Sequence, residues 1–448
     1  MSGPAEGASA PPWGVPVRGN RWDELGDGRP EARRRVSVVV PYYRQQAELD
    51  RTLAALARQT WPAHLLEVVV VDDGSPEPPR VPPGVVVVRQ EDRGFRLAAA
   101  RNLGARTATG DLLCFLDADT APEPGYVEAL VRLPSLSPEV VTVGRRRHAD
   151  FAGVDATAPV EVVGPAAELD EPAWLSRAYR DSDDLLRADD RSYRHVIGAV
   201  TACTRWLLDE VGGWDETFRA YGGEDWEWAH RAWAAGAVLA HVPDAVAWHD
   251  GPDWAGRDGD DEARQRRQND ETLTLARLVP VEGSRPRALR TGAVDVVVEL
   301  GEEPAGAAAV LAVDGVLEAL PGALVVVRDE VARLLAGDDR VVAAAPDPAG
   351  PAARVRVVLP RAVRVRDGAA LVDAVAQVGV DDLGTVVLVD AGGAEVARVT
   401  ARRAALRSRR WGRDDLFRTE RRTAPGLEAV EGEPSLAAWF GGWDRPSP

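Results

Sequence analysis

The sequence contains no lysine, so all 54 of its positive charges are arginine. That absence excludes Schiff-base catalysis and the lysine-dependent phosphate loop. Cysteine is nearly missing too. Cys114 and Cys203 cannot make a disulfide framework or a cysteine-rich zinc site, and the apolar run around Cys114 is that of a buried thiol in a reducing compartment. No stretch reaches the roughly 18 apolar residues of a membrane span. The N-terminus, MSGPAEGASAPPWGVPVRGN, has proline and glycine where a signal peptide needs an apolar segment, so a soluble, cytoplasmic protein with no integral membrane segment is expected. An excess of positive charge is also lacking. The formal charge of −17 would repel nucleic acid or an anionic membrane, and neither is expected as the main partner.

What is present suffices for more than one core. With 448 residues, 45% of them hydrophobic, 28% charged, and 14 tryptophans, the chain exceeds what one core usually holds, and two domains with tails are expected. Residues 1–34 are rich in proline and glycine without periodicity and read as a flexible N-terminal tail. From Val36 the pattern becomes strand (VSVVVP), helix (Leu49, Leu53 and Leu56 at helical spacing) and strand (EVVVVDDGS). A short VVVV strand, a helix around RLAAARNLGARTA and the strand DLLCFLDAD follow. This alternation predicts an α/β fold over residues 35–283, with a mostly parallel sheet and helices on both faces. A polar stretch ending in turn residues sets a boundary near residue 283. Beyond it, VDVVVEL, ALVVVRDE, DRVVAAAP, RVRVVLP and GTVVLVDAGG predict a second, smaller α/β domain over 284–420, then a C-terminal tail, 421–448. The second domain loosely echoes residues 36–120, as a decayed repeat would, although any α/β domain alternates in this way. On that reading Asp390 stands where the first domain has Asp117, and TARRAALRSRRWGRDD forms an arginine-rich local patch.

In open α/β sheets, ligands sit beyond the carboxyl ends of the strands. The first strand ends in Pro41-Tyr42-Tyr43-Arg44 with no Gly-x-Gly turn, so a dinucleotide site is not expected. The second ends in Asp72-Asp73-Gly74-Ser75, whose carboxylates can accept from a base or ribose or simply cap the turn. The fourth ends in Asp117-Ala118-Asp119. Two carboxylates there suit a hard divalent cation, which would neutralise a diphosphate leaving group. The other Asp-x-Asp pairs, Asp181/Asp183 and Asp258/Asp260, do not follow an apolar strand. Between these strands, Arg93, Arg96 and Arg101 could face phosphates and Asn102 offers an amide, or the helix merely carries a solvated arginine face. Seven tryptophans lie between Ala199 and Trp254. There Gly222-Gly223 precedes a helix opened by Glu224-Asp225, with Trp226, Ala229 and Trp233 as its inner face. Acidic residues in a first turn can serve only the helix dipole. A carboxylate at the mouth of a glycine loop, beside rings that stack on sugar faces, is also placed to take a proton from a hydroxyl. His249 could add a nitrogen ligand or be a structural hydrogen-bonder.

Together, VSVVVPYY, VVVVDDGS, GFRLAAARNLGA, FLDADTAPEPGYV and GGWDETFRAYGGEDWEW resemble glycosyltransferase family 2, enzymes of the GT-A fold that use nucleotide-activated sugars. The resemblance covers about residues 35–255. It is greatest to bacterial chondroitin-polymerase-like enzymes, with a galactosyltransferase-type GGED block. It implies that Pro41, Tyr43 and Asp73 hold the nucleotide, that Arg101 lies near the donor, and that Asp117 contacts ribose or donor sugar. It also implies that Asp119 and His249 bind Mn²⁺ or Mg²⁺, that Asp225 is the general base, and that Glu224, with Trp226 beside it, binds acceptor or donor hydroxyls. Arg44 departs from the usual Asn or Glu. The expected activity is inverting, metal-dependent transfer from a nucleotide sugar, such as a UDP-sugar, to a hydroxyl of a carbohydrate or glycoconjugate acceptor. The alternatives are a non-catalytic sugar-nucleotide-binding or scaffold protein, and a nucleotidyltransferase, which would not account for the GGED block or the tryptophans.

Overall fold

An unbroken apolar run makes β1 (Val36–Tyr42) a strand buried along its whole length, as expected for a strand covered on both faces. The computed structural model describes residues 9–220, 222–252, 261–301, 306–343 and 353–441. They group into two compact units that divide between Leu275 and Ala276. In the first unit, β1 is followed by β2 (Leu66–Asp72), β3 (Val86–Arg89), β4 (Leu112–Leu116), β5 (Thr120–Pro122), β6 (Val140–Ala149), β7 (Glu168–Leu169), β8 (Val200–Thr204) and β9 (Val238–Asp250). Their order in the sheet is β3-β2-β1-β4-β8-β6-β9-β5, with β7 on β6. The β3-β2-β1-β4 half is parallel, and β8 runs antiparallel between β4 and β6. The helices are α1 (Gln46–Leu56), α2 (Leu97–Thr107), α3 (Tyr126–Leu136), α4 (Val160–Ala166), α5 (Ala173–Asp181), α6 (Arg205–Val211), α7 (Glu224–Ala234) and α8 (Asp261–Leu278). As the spacing predicts, Leu49, Leu53 and Leu56 of α1 are buried. Each such side chain contributes about 1.5–3 kcal/mol.

The N-terminal segment is not the free tail its composition suggests. Val17 is buried. The Asn20 amide donates to the carbonyls of Leu185 (2.6 Å) and Leu239 (2.9 Å) and accepts from the Leu239 N–H (2.9 Å). Proline and glycine remove periodicity, but one well-placed amide can still anchor a segment by satisfying open backbone groups.

The second unit contains β10 (Val296–Leu300), α9 (Gly306–Ala319), β11 (Leu324–Val326), α10 (Asp329–Leu334), β12 (Val341–Val342), β13 (Val355–Leu359), β14 (Val363–Val365), α11 (Ala369–Gln377), β15 (Leu383–Val389), β16 (Glu395–Ala401), α12 (Arg402–Trp411), β17 (Arg418–Thr423), β18 (Leu427–Ala429) and α13 (Leu436–Trp439). The sheet order is β12-β11-β10-β13-β16-β15-β17. In chain order, β10, β11, β12, β13, β15, β16 and β17 take the places of β1, β2, β3, β4, β6, β8 and β9. Every neighbouring pair keeps its parallel or antiparallel sense. Even the short antiparallel pair β5 and β9 has a counterpart in β14 and β18.

This topology corrects the register of the sequence echo. Asp390 follows β15, the counterpart of β6, and so does not stand where Asp117 does. The strand matching β4 is β13, which runs on into Pro360-Arg361-Ala362, so no acidic pair is present there. No helix stands between α12 and β17, where the first unit carries α7. The arginine-rich stretch is only partly at the surface, where Arg409 and Arg413 are exposed. Arg403, Arg407 and Arg410 are buried, with Arg403 and Arg407 stacked on Phe417. Residues 421–441 include β18 and α13 rather than forming a tail, and 442–448, like Trp254, lie outside the described residues.

Candidate active site

The carboxyl ends of β1, β2 and β4 gather the polar residues picked out in the sequence. Pro41 is buried within β1 in register with Val71, and Tyr43 just beyond it is exposed. Arg44 has φ +61°, its N–H donates to Ser75 Oγ (3.1 Å), and its guanidinium lies over the Tyr43 ring. Asp73 is buried at the end of β2. Its two oxygens accept from the Gln90 amide (2.5 Å) and the Arg96 N–H (3.1 Å). Burial raises its pKa against those bonds. Of the arginines picked out in the sequence, Arg93 lies before α2 and pairs with Glu91 at the surface. Asn102 clamps the backbone of Trp214, donating to its carbonyl and accepting from its N–H.

Arg101 is the hinge of the site. It is 2% exposed, donates to Glu224 Oε1 (2.9 Å) and Asp117 Oδ1 (3.2 Å), and lies over the Trp214 ring. It thus stands behind the carboxylates and joins the end of β4 to the start of α7. Gly198 makes this possible, because a Cβ there would fall 2.8 Å from both terminal guanidinium nitrogens. The same glycine donates its N–H to Asp225 Oδ2 (3.0 Å).

Glu224 and Asp225 enter α7 from Gly222 (φ +101°) and Gly223 (φ +90°), a backbone that side-chain-bearing residues rarely adopt. Glu224 is buried, and no hydrogen-bond partner for its Oε2 is found among the described residues. Its carboxyl is pushed up to about 7 by burial and by the Asp225 charge, with Arg101 opposing. Asp225 is half-buried, and burial raises its pKa as well. Of the expected inner face, Ala229 and Trp233 are buried, whereas Trp226 is half-buried with its ring edge-on to Tyr193. Trp228 is the fully enclosed ring, stacked on Trp214.

Strand pairing brings Asp119 and His249 together. β5 and β9 align Thr120 with His249, and the Asp250 N–H donates to the Asp119 carbonyl (2.9 Å). His249 Nδ1 faces the Gly251 carbonyl at 3.1 Å. A carbonyl only accepts, so Nδ1 carries the hydrogen and Nε2 is directed at Asp119 Oδ2, 3.5 Å away. Two lone pairs in that position repel unless a proton or a metal cation stands between them. Asp119 also accepts from Gln45 (3.4 Å) and Thr120 (3.2 Å), and its pKa is raised by burial and by Asp117. Among the described residues, no three His, Cys, Asp or Glu side chains converge as a metal-binding group.

Sequence reasoning missed Gln45, Gln90 and Glu271. Glu271, on α8, lies against the glycine loop, and a Cβ at Gly222 would fall 2.7 Å from its Oε2. Burial, then the Asp225 charge, pushes its carboxyl up to about 7. Glu271 sits in the polar stretch read as a boundary, and no local pattern there signals a site.

Residues 37–187 match the model of glycosyl transferase family 2, and residues 188–247 match that described as N-terminal domain of galactosyltransferase. The chondroitin synthase of Pasteurella multocida (strain Pm70) is 30% identical over 251 residues, 51% of this chain and 26% of that protein. The validoxylamine A glucosyltransferase of Streptomyces hygroscopicus subsp. limoneus is 34% identical over 231 residues, 46% of this chain and 49% of that protein. The chain thus spans between a quarter and half the length of these relatives. Among solved structures, a mannosyltransferase from Pyrobaculum calidifontis in complex with GDP-Man and Mn²⁺ matches 57% of this chain and 67% of its own, at 22% identity and a TM-score of 0.38. Among the described residues, no helix is long and apolar enough to cross a membrane.

Proposed function

We propose, from the match of residues 37–187 to the model of glycosyl transferase family 2, that the first unit transfers a sugar, with inversion, from a nucleoside-diphosphate sugar to an acceptor hydroxyl. The observation that carries this reading is the convergence of Asp117, Arg101, Glu224 and Asp225 from β4, α2 and α7 around one buried guanidinium. Asp225, half-buried beside Gly198, takes the proton of the acceptor hydroxyl. The acceptor oxygen then bonds to the sugar C1 as the bond from C1 to the phosphate oxygen breaks, and the nucleoside diphosphate leaves with the electron pair. Burial makes Asp225 a stronger base than a solvated aspartate, which suits proton removal near neutral pH.

Glu224 binds a donor or acceptor hydroxyl through Oε2. Arg101 is a positioning residue that fixes Asp117 and Glu224 in one frame and does not itself touch the donor. Asp117 faces ribose or donor sugar. Pro41, Tyr43 and Asp73 frame the nucleoside, with Asp73 accepting from the base, and Trp226 presents a ring edge to the sugars. Asp119 and His249 would hold Mn²⁺ or Mg²⁺, and the close approach of Nε2 to Oδ2 fits a cation between them. When bound, that ion neutralises the charge developing on the departing diphosphate. The acceptor class is a carbohydrate or glycoconjugate hydroxyl. Screening nucleotide sugars for release of nucleoside diphosphate, with and without acceptors and chelator, tests the reading. No release from any donor in the presence of Mn²⁺ overturns it.

A further inference from the structure

The second unit has an open cleft of about 580 Å³. Its floor is apolar, formed by Leu300 at the end of β10 and by Val326 and Val327 at the end of β11. Arg328, Asp329, Glu330 and Arg333 stand on its rim, and Glu299, which pairs with Arg356, also lines it. All four rim residues are exposed. The cleft therefore lies where open α/β sheets take ligands, at the carboxyl ends of parallel strands. By the strand correspondence, the ends of β10, β11 and β12 are those of β1, β2 and β3, which frame Asp73 in the first unit.

The catalytic parts are missing from this copy. Pro360-Arg361-Ala362 replaces the acidic pair, and the helix that bears Glu224 and Asp225 has no counterpart. Arg361 is exposed and comes two residues after Leu359, the register partner of the cleft residue Leu300. By the strand correspondence Arg361 thus follows the strand end where the first unit presents its proposed cation ligands, and guanidinium suits phosphate oxygens.

We propose that the second unit binds a nucleoside phosphate in this cleft without a divalent cation and without turning it over. The base rests on Leu300, Val326 and Val327, Asp329 accepts from ribose hydroxyls, and Arg328, Arg333 and Arg361 face the phosphates. The choice of ligand rests on the nucleotide reading of the first unit, whereas the cleft itself does not.

Calorimetric titration of the full chain with UDP, and with GDP as a second base, tests the proposal in buffer containing excess chelator, where nucleotide at the first unit loses its cation. About one equivalent is expected to bind. Arg328→Glu together with Arg333→Glu should weaken that binding at least tenfold, as should Val326→Trp, which fills the floor. Asp73→Ala should leave it unchanged. The arginine variants alter exposed side chains only, so they test the site even if the tryptophan variant fails to fold. Absence of binding by either nucleotide in chelator, or binding that Asp73→Ala removes and the arginine variants keep, overturns the proposal. Failure of sugar transfer by the first unit would leave the chelator result unaffected, so the two readings fail separately.

Discussion

Replacing Arg101 with methionine keeps much of the side-chain volume and removes the one cation shared by Glu224 and Asp117. The Glu224 side chain is 5% exposed and that of Asp117 31%. Water therefore screens the second pair far more than the first, and most of the cost falls on Glu224. Stranding one charge of a buried pair costs about 3–5 kcal/mol. Glu224 can escape that cost by taking a proton. Its carboxyl already titrates at about 7 beside the arginine, and it must titrate higher without it. A folded-state pKa above the unfolded value means that the folded protein holds the proton more tightly, so stability falls as pH rises from the unfolded pKa through the folded one. In Arg101→Met that fall extends to higher pH. The variant should therefore lie close to the parent at pH 5.5 and fall below it by about 3–5 kcal/mol at pH 8.5. Urea unfolding followed by tryptophan fluorescence reads this directly, since Trp214 and Trp228 stack close to the arginine. Adding Glu224→Gln should recover much of the loss at pH 8.5. An equal loss at both pH values, or no recovery in the double variant, would show that Arg101 acts only through packing on Trp214 and would refute the electrostatic argument.

Asp225→Asn should fold and bind donor normally, yet lose roughly 10²- to 10⁴-fold in kcat, the range for removal of a general base. Unchanged kcat with a raised acceptor KM would instead make Glu224 the candidate base. Asp119→Ala and His249→Ala should each abolish the tightening of nucleotide binding by Mn²⁺, measured by calorimetry. If the ion still tightens binding in both variants, the two side chains do not hold it. Gly222→Ala places a Cβ 2.7 Å from Glu271 Oε2 on a backbone with φ +101°, so it should lower both Tm and activity. Glu271→Gln removes a carboxyl that titrates at about 7, so Tm should fall less than in the parent between pH 5 and 8. Parallel Tm profiles would show that Glu271 does not titrate there.

Much of the site was legible because each part is local. A fully apolar strand followed by Asp-x-Asp marks its own edge of the sheet, and a Gly-Gly loop before Glu224-Asp225 marks a helix start. Asp117, Glu224 and Asp225 beside those marks do come together around Arg101 in the fold. Other features depended on pairing partners far away in the chain. The N-terminal segment lacks periodicity, yet Asn20 anchors it on Leu239. Asp390 has the look of Asp117 but belongs to a different strand of the repeat, because only sheet order reveals that β13 is the counterpart of β4.

The sequence by itself determined the α/β class, the polar strand ends and the residue types there, since hydrophobic period and turn residues act over a few positions. Tertiary structure alone decided that Arg101 lies beneath the carboxylates of Asp117 and Glu224, that β9 brings His249 to Asp119, and that Glu271 reaches the glycine loop from α8. The physical reason is that charge and hydrogen bonding act through space. Residues 101 and 224 are 123 positions apart, and no local pattern encodes that one guanidinium will neutralise both Asp117 and Glu224.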